Sequence, residues 1–454
     1  MANGLNMNDT IAAIGTSVSN NAISIIKVSG PESIEIVDKV FSGNLKKAKS
    51  HTIKYGYILE NNEKIDEVLV SVFKAPRSFT TEDVVEINCH GGIFVTNKIL
   101  ELVLEAGARL AEPGEFTKRA FLNGRIDLTQ AESIMDMIES NTKSSLKLAA
   151  NGLLGETKKL IKRFRDSVLN CLLAIEVNID YPEYEDEVQV TNRDLKPQVE
   201  GLIRDIDIVL EKSEVSRLLK NGIDTAIIGK PNVGKSSLLN SLLREDKAIV
   251  TDIEGTTRDI VEGKINIGGL VLNLIDTAGV RQTDNVVEKI GVDKSKKVLN
   301  DAELIILVLD NSKELNDTDR ELIKLTEDKN RIIVINKKDL DSKMDKENLN
   351  DYILISSFDE NDISKLENKI KEVCNLGDLN NIDATYIGNA RQIAKLKEAK
   401  KSLQESIDAL DNNMPIDIAG ISIKEAWLRL GEILGEENAD DMIDELFSRF
   451  CLGK

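Results

Sequence analysis

The chain has 454 residues, of which 41% are hydrophobic and 30% are charged, and its formal net charge is −19 at pH 7. This length predicts two or three domains, and this composition is that of a folded globular protein and excludes a disordered one. The net charge argues against a protein that coats nucleic acid nonspecifically, but it does not exclude a local basic patch for RNA.

Residues 1–122 mix strand and helix signals. Short segments rich in β-branched residues at 23–28, 68–73 and 84–87 predict strands. Residues 94–104 have the spacing of an amphipathic helix, and Gly107 marks its end. The pattern therefore predicts an α+β domain.

Residues 123–221 have a helical pattern and predict the first part of a helical domain. Apolar residues recur every seven positions at Leu154, Ile161, Val168 and Ile175. The acidic segment 181–189, which contains Pro182, is predicted to break this helix. A second helical stripe follows: Val199, Leu202, Ile203, Ile206 and Val209.

Residues 222–378 alternate short apolar strands with polar helical segments, which predicts a doubly wound parallel sheet. The predicted strands are 225–228, 271–275, 304–309, 332–335 and 353–355. Residues 379–454 are helical again. We therefore expect a multidomain α/β protein in which the sheet domain is inserted between two parts of a helical domain.

The cysteines and apolar runs indicate a cytoplasmic protein. The longest apolar runs, such as 304–309, are far too short to span a bilayer, and the first ten residues lack the features of a secretion signal. The two histidines, His51 and His90, argue against a His-rich metal site. The four cysteines have no paired spacing and predict free thiols in a reducing compartment: Cys89, Cys171, Cys374 and Cys451.

A phosphate-binding loop follows the strand at 225–228. The sequence Gly-Lys-Pro-Asn-Val-Gly-Lys-Ser at 229–236 provides backbone N–H groups and a helix N-terminus around the phosphates. Lys235 is expected to neutralise the β- and γ-phosphates, and the hydroxyl of Ser236 to hold magnesium. The nucleotide-binding candidates of this loop are Asn232, Val233, Gly234, Lys235, Ser236 and Ser237.

Two further motifs follow strands of the same predicted sheet and indicate a GTPase. The first places a carboxylate near the metal and a glycine near the γ-phosphate: Asp276, Thr277, Ala278 and Gly279. In the second, Asp339 accepts hydrogen bonds from guanine N1 and the exocyclic amine, which adenine does not offer. Its other residues are Asn336 and Lys337, and Ser356 and Ser357 after the next strand complete the base site.

A threonine-rich loop between these motifs is the candidate switch segment, because a hydroxyl there completes magnesium coordination when the γ-phosphate is present. Its candidate residues are Thr251, Asp252, Ile253, Glu254, Gly255, Thr256 and Thr257. A glycine-centred turn with exposed threonines is the alternative interpretation.

The group that orients the attacking water differs from that of Ras-type proteins, because Val280 occupies the position of their glutamine. Asp284 and Glu288 are the next carboxylates, and Asn232 could hold a monovalent cation in place of an arginine finger. Glu288 has an alternative role as a solvated residue in the first turn of a helix. From the residues alone, both interpretations of Glu288 stay open.

Longer stretches resemble the tRNA-modification GTPase MnmE (TrmE) family over essentially the whole chain. The GTPase stretches 229–237, 251–259 and 276–279 are shared with many other proteins. The stretches Pro-Gly-Glu-Phe at 113–116 and Phe-Cys-Leu-Gly-Lys at 450–454 are much more specific. The remaining matches lie at 27–30, 78–80, 82–84, 90–92 and 119–125.

The resemblance implies a potassium-activated GTPase that acts with a flavin-containing partner of the MnmG (GidA) type on the wobble uridine of certain tRNAs. It implies that an aminomethyl-type group, carboxymethylaminomethyl, is installed at C5. It also implies a homodimer that forms through the N-terminal domain and joins the partner in a heterotetramer or larger assembly. Glu288 matches the family's water-orienting glutamate. The implied cation ligands are Ser236 and Thr257 for magnesium, and Asn232, Thr251, Ile253 and Thr256 for potassium.

The same resemblance implies that the N-terminal domain binds 5-formyl- or 5,10-methylene-tetrahydrofolate. The implied folate residues are Lys27, Glu86, Arg125 and Lys454. A carboxylate can pair with the N–H edge of the pterin, and cations suit the glutamate tail. Lys27 departs from the arginine that relatives often carry, and it therefore lacks the bidentate fork. From the sequence alone, Glu86 could instead be a solvent-facing strand residue.

Two functions remain as hypotheses: a tRNA-modifying GTPase, and a stand-alone GTP switch in ribosome assembly. The second explains residues 222–378 equally well but leaves the N-terminal domain and the C-terminal motif unexplained. Two helices carry clustered cations that could bind RNA, although a solvated helix face is the favoured interpretation of either cluster alone. They are Lys158, Lys159, Lys162, Arg163 and Arg165, and Arg391, Lys395, Lys397, Lys400 and Lys401.

Overall fold

The computed structural model describes residues 8–180, 192–243, 248–249, 263–275, 299, 301–346, 349, 351–374, 387–412, 414–436, 443, 446–448, 450 and 453. The chain forms two compact units. Unit 1 consists of Met1–Met135, Gly152–Lys196 and Lys401–Lys454, and unit 2 of Asp136–Asn151 and Pro197–Lys400.

Unit 1 contains a six-stranded sheet with the strand order β3-β4-β5-β2-β1-β6. Its neighbours are antiparallel except for the parallel pair β1–β6. The strands are β1 (Ile11–Ile14), β2 (Ile23–Ser29), β3 (Thr52–Glu60), β4 (Glu63–Phe73), β5 (Val84–His90) and β6 (Arg109–Leu110). The strands predicted at 23–28, 68–73 and 84–87 are confirmed as parts of β2, β4 and β5.

Two helices form a hydrophobic core with this sheet. They are α1 (Ser33–Val40) and α2 (Ile93–Glu105), and α2 confirms the helix predicted at 94–104. Ile36 and Ile99 are fully buried in one cluster with Ile26, Val70 and Ile87 of the strands. This cluster explains the apolar alternation of β2, β4 and β5, because every second side chain points to the same face.

Outside the two sheets, the described chain continues in a series of further helices. They are α3 (Glu115–Leu122), α4 (Leu128–Glu139), α5 (Lys143–Leu153), α6 (Glu156–Asp180), α7 (Asn192–Asn221), α11 (Ala390–Asp411) and α12 (Ile416–Leu434). In unit 1, α6 packs against α12. No described helix combines the length and the apolar character needed to cross a membrane.

The apolar stripe predicted at every seventh position is correct for α6 but wrong at its first member. Ile161, Val168 and Ile175 are buried, whereas Leu154 lies before the helix and is 73% exposed. Gly155 has φ 83°, a left-handed conformation that ends α5 and separates Leu154 from α6. The stripe predicted for 199–209 is buried as expected in α7. The predicted break at 181–189 lies outside the described residues.

Unit 2 is built on a seven-stranded sheet with the strand order β13-β12-β11-β7-β10-β9-β8. The first five strands of this order are parallel, and β9 and β8 extend the sheet in antiparallel fashion. The strands are β7 (Ile223–Ile228), β8 (Ala248–Ile249), β9 (Lys264–Ile267), β10 (Leu270–Leu274), β11 (Leu304–Asp310), β12 (Arg331–Asn336) and β13 (Tyr352–Leu354).

This sheet confirms the predicted parallel strands, while the antiparallel extension was not predicted. Among the described residues between 222 and 378, three helices accompany this sheet: α8 (Lys235–Leu242), α9 (Asp317–Leu325) and α10 (Glu360–Val373). Strand β7 lies between β10 and β11, so the strands that follow it in sequence are added first on one side of it and then on the other. Ligands bind at such a switch point in open α/β sheets, beyond the carboxyl ends of the strands.

Candidate functional site

The phosphate loop leaves the central strand β7 and enters α8. Gly229, Asn232 and Gly234 all have positive φ, at 151°, 66° and 99°. A Cβ atom on Gly229 would collide with the carbonyl oxygen of Val308, and one on Gly234 with the side-chain amide of Asn336. Both glycines are therefore required by close packing as well as by backbone conformation.

Lys235 lies inside this loop. Its Nζ donates to the carbonyl oxygens of Gly229 at 2.8 Å and Lys230 at 2.7 Å. Burial lowers the pKa of the Lys235 ammonium below its ordinary value. An anion would offset this desolvation, so the geometry favours a bound phosphate next to Lys235. Ser236 follows in the first turn of α8, at the positive end of the helix dipole.

Two other lysines connect the loop to its surroundings. The Nζ of Lys337 donates to the carbonyl oxygen of Asn232 at 2.8 Å and to Asp310 at 2.7 Å. Lys230 of the loop pairs with the buried Asp319 of α9 at 2.5 Å. Sequence reasoning missed both carboxylates. For Asp310 the available signal was a carboxylate at the end of a fully apolar strand.

Asp310 keeps its charge despite its surroundings. Burial alone would raise the pKa of its carboxyl, but hydrogen bonds from Lys337 and Ser312 hold that pKa below its ordinary value. The ionised carboxylate therefore remains a partner for Lys337 and keeps this side chain beside the loop.

The residues predicted to contact the base lie together at the carboxyl ends of β12 and β13. The Nδ2 of Asn336 donates to the carbonyl oxygen of Val233 at 3.0 Å, and its Oδ1 accepts from the N and Oγ of Ser357 at 3.1 and 2.8 Å. The Oγ of Ser356 donates to the exposed Asp339 at 2.8 Å. Asn336 thus joins the phosphate loop to the loops that follow β12 and β13.

Asp362 of α10 was also missed, and it supports the same region. It accepts a hydrogen bond from the backbone N of Ser356 at 3.1 Å and pairs with Lys338 and Lys365. Its position near the start of α10 gave no signal that distinguishes it from an ordinary first-turn acid.

The remaining predicted nucleotide residues lie outside the described residues. They are Thr251, Asp252, Ile253, Glu254, Gly255, Thr256, Thr257, Asp276, Thr277, Ala278, Gly279 and Glu288. Of the predicted ligands of magnesium and potassium, the structure therefore describes Ser236 and Asn232.

A second candidate site lies in unit 1, where Lys27 of β2 pairs in register with Glu86 of β5. Directly opposed residues project from the same face of a sheet, so the cation and the carboxylate share one surface. The Nζ of Lys27 also donates to the carbonyl oxygen of Gly453 at 3.3 Å. The structure thus brings Gly453 of the C-terminal motif to Lys27, and Lys454 itself lies outside the described residues.

Arg125 is held by a residue that the sequence prediction did not include. Its Nη1 donates to the carbonyl oxygen of Phe79 at 2.9 Å, and its guanidinium lies 4.9 Å from the centre of the Phe79 ring. The ring is 38% exposed. Phe79 therefore adds an aromatic surface beside Arg125.

A buried ionic cluster connects these segments of unit 1. Arg119 is fully buried and pairs with Asp9, Glu82 and Glu115 at 2.5, 3.1 and 2.9 Å. Glu82 also accepts from the Oγ of Ser29 at 2.7 Å. The cluster thereby joins α3 to strand β2, two residues beyond Lys27.

Glu115 remains ionised within this cluster. Burial would raise the pKa of its carboxyl, but hydrogen bonds from Arg109, from the backbone of Glu112 and from Arg119 hold that pKa below its ordinary value. The Pro-Gly-Glu-Phe stretch therefore supplies a structural anion. Removing one partner of such a buried pair typically costs about 3–5 kcal/mol.

Two family models match the chain. The model described as "GTP-binding protein TrmE N-terminus" matches residues 10–125. The model described as "MnmE helical domain" matches residues 128–451, which is more than half of the chain.

Curated relatives match over nearly the full length, and each is named "tRNA modification GTPase MnmE". The protein of Streptococcus thermophilus is 51% identical over 450 residues, covering 98% of both chains. That of Ligilactobacillus salivarius is 50% identical over 455 residues, with 98% of both chains covered. That of Acholeplasma laidlawii is 50% identical over 447 residues, covering 98% of this chain and 99% of the relative. These names favour the first of the two functional hypotheses.

Proposed function

The chain belongs to the MnmE family of tRNA modification GTPases, and from this we propose that it is a potassium-activated GTPase that modifies the wobble uridine. It acts with a flavin-dependent partner of the MnmG (GidA) type to install a carboxymethylaminomethyl group at C5 in certain tRNAs. The observation that carries the proposal is the 51% identity to a named family member over 98% of both chains.

In the GTP reaction, Lys235 binds the β- and γ-phosphates while Asn336 and Asp339 hold the base. Ser236 and Thr257 bind magnesium, which supplies charge neutralisation on the phosphates. Glu288 orients the attacking water. The nucleotide-binding role extends to residues 251–257 and 276–279, as the sequence motifs indicate.

The potassium role falls on Asn232, Thr251, Ile253 and Thr256. Asn232 fits this role because its side chain is exposed and has no partner within the described ranges. Its backbone oxygen is already occupied by Lys337, and its positive φ fixes the residue at the edge of the loop. An amide oxygen is a suitable ligand for a hard monovalent cation.

The folate site is formed by Lys27, Glu86, Arg125 and Lys454, with Phe79 beside it. The residues fit a folate because Glu86 offers a carboxylate for the N–H edge of a pterin, and the cations suit its anionic tail. The 5-formyl or 5,10-methylene derivative supplies the one-carbon unit. Lys27 and Glu86 share one face of the sheet, so they bind and orient this ligand from one side.

The division of the chain and its assembly complete the proposal. Residues 1–122 form the folate-binding and dimerisation domain, 123–221 and 379–454 the two parts of the helical domain, and 222–378 the GTPase domain. The protein forms a homodimer in the cytoplasm and joins the flavin-containing partner in a heterotetramer or larger assembly, which acts on tRNA.

Calorimetric binding of 5-formyltetrahydrofolate to the purified chain tests the folate part of this proposal. We expect saturable binding that is lost in Glu86→Ala and in a chain lacking Lys454. Glu63→Ala, which removes an exposed carboxylate at the start of β4, is the matched control and should bind like the parent. Failure of the parent to bind would refute the folate role, and unchanged binding by Glu86→Ala would remove this residue from the site.

A further inference from the structure

Two segments of unit 1 are basic in an acidic chain. Residues 42–58 contain four lysines and no acidic residue, and residues 74–81 contain Lys74 and Arg77 and again no acidic residue. The whole chain, by contrast, has a net charge of −19. Such a local excess of positive charge forms an interaction surface only if the tertiary structure places the charges side by side.

The structure joins these two segments at one end of strands β3 and β4. The backbone N of His51 donates to the carbonyl oxygen of Val72 at 2.7 Å, and the backbone N of Lys74 donates to the Oγ of Ser50 at 2.9 Å. The exposed imidazole of His51 packs edge-on against Phe73, with 5.5 Å between the ring centres. A turn from Lys74 to Arg77 closes the second segment.

We name this surface the basic patch and define it by Lys47, Lys49, His51, Lys74 and Arg77. Its lysines and its arginine have no acidic partner within the part of the chain that the structure describes. Lys46, next to the patch, pairs with Glu35 at 3.2 Å and is not included.

Two carboxylates of the adjoining segments are directed to backbone amides. Asp38 accepts a hydrogen bond from the N of Leu45 at 2.5 Å, and Asp83 accepts one from the N of Ala75 at 2.8 Å. These contacts shape the two loops, and they engage the carboxylates with amides instead of with the ammonium groups of the patch.

The helical cation clusters differ from the basic patch because carboxylates pair with most of their members. On α11, Lys397 pairs with Glu214, Lys400 with Asp207, and Lys395 and Lys401 with Glu398 and Glu405. On α6, Lys158 pairs with Asp127, Lys159 with Glu156 and Arg165 with Glu436. The carboxylate beside a paired cation also repels an approaching phosphate, so a paired cation adds less to RNA affinity than one without an acidic neighbour.

We propose that the basic patch binds the phosphodiester backbone of the tRNA substrate. The inference rests on the proposed function and gives that function a docking surface. Flexible ammonium groups bind phosphates as point charges without reading the bases, so the patch supplies affinity and orientation. The net negative charge of the chain repels RNA at long range, so a local excess of positive charge favours contact at the patch.

The test compares two variants with the same loss of positive charge. The patch variant carries Lys47→Gln, Lys49→Gln, Lys74→Gln and Arg77→Gln. The control variant carries Lys395→Gln, Lys397→Gln, Lys400→Gln and Lys401→Gln on α11. Binding of a fluorescent tRNA transcript is measured by anisotropy at several salt concentrations, and GTP hydrolysis is measured for each protein.

We expect the patch variant to bind tRNA at least ~10-fold more weakly at low salt. Each lost phosphate contact lowers the slope of log K against log salt by about 0.7–0.9, so four lost contacts lower it by about three. The control variant should change affinity less than about 2-fold. GTP hydrolysis should be unchanged in both variants, because neither removes a nucleotide-site residue.

Three results would overturn the proposal. The patch variant could bind tRNA as tightly as the parent, the control variant could lose as much affinity as the patch variant, or the parent could fail to bind tRNA. A patch variant that keeps its tRNA affinity but no longer binds the flavin-containing partner would show a protein-docking surface instead. A separate measurement tests the proposed function itself: the wobble modification is analysed in tRNA from cells whose only protein of this family is the unmutated chain. If that tRNA lacks the modification, the proposed function is wrong, whatever the patch binds.

Discussion

Asp339 shows how single hydrogen bonds orient a residue of the proposed base site. Ser356, on the loop after the neighbouring strand, donates to one oxygen of this carboxylate, and Lys338 and Ser356 are both tied to Asp362. The carboxylate is therefore oriented before the nucleotide arrives. Such preorganisation lowers the entropy that binding must supply.

Replacing Asp339 with Asn should change the base that the protein accepts. The amide keeps one acceptor but faces guanine N–H donors with an NH2 group, so at least one charged hydrogen bond, worth about 1.5–3 kcal/mol, is lost. We expect the KM for GTP to rise about 10- to 100-fold and xanthosine triphosphate to become the better substrate. Steady-state hydrolysis with both nucleotides measures this change.

The matched control is Asp341→Asn, which changes an exposed aspartate two residues further along the same loop. Its KM values should equal those of the parent. If Asp339→Asn also leaves the GTP KM unaltered, the guanine base is recognised by other residues.

At the scale of elements, the turn before α3 is shaped by the C-terminal segment. Gly114 has φ 69°, and a Cβ atom there would lie 2.5 Å from the carbonyl oxygen of Phe447 and 2.8 Å from the Cβ of Phe450. Both phenylalanines are buried in a cluster with Ala120 and Leu128. The glycine of the Pro-Gly-Glu-Phe stretch thus allows two distant parts of the sequence to pack closely.

Gly114→Ala should destabilise unit 1 more than Gly124→Ala does. Both positions have a left-handed backbone, at 69° and 71°, but a Cβ at Gly124 would have nothing within 4 Å. The conformational penalty of about 1–2 kcal/mol applies to both, and overpacking adds about 1–3 kcal/mol at Gly114. Urea unfolding followed by the fluorescence of Trp427, the single tryptophan, reports on this unit. Equal losses in the two variants would mean that the C-terminal segment adjusts without cost.

At the scale of the whole molecule, the two candidate sites belong to different compact units. The nucleotide residues Lys235, Asn336 and Asp339 lie in unit 2, and Lys27, Glu86 and Arg125 lie in unit 1. A ligand that binds only the folded form stabilises the unit that holds its site, by about 2.7 kcal/mol at a concentration of 100 times Kd.

We therefore expect 5-formyltetrahydrofolate to raise the thermal midpoint of the Trp427 transition, and GDP with magnesium to leave this transition nearly unchanged. Calorimetry should show the GDP effect on the remaining heat absorption. Lys235→Ala should remove only the GDP effect, and Glu86→Ala only the folate effect. A Trp427 transition that GDP raises as strongly as the folate does would contradict this assignment.

The sequence by itself determined the parallel strands of the second sheet, and it predicted the nucleotide motifs at their carboxyl ends. Each motif of that site is contiguous and follows an apolar strand, and parallel strands place their carboxyl ends at one edge. Local spacing therefore contains most of the information, and the described motif residues Lys235, Asn336, Asp339 and Ser356 lie together as predicted. The misassigned Leu154 shows the limit of periodicity, because one left-handed glycine interrupts the helix.

The tertiary structure decided which charges meet. Glu86 lies opposite Lys27 in the strand register, and Arg119 pairs with Asp9, Glu82 and Glu115 from distant segments of the sequence. The clustered lysines of α11 are neutralised by carboxylates on α7 as well as on α11 itself, whereas the basic patch arises where two short loops adjoin. Spacing along the chain gives no measure of such distances, because ion pairs form through space.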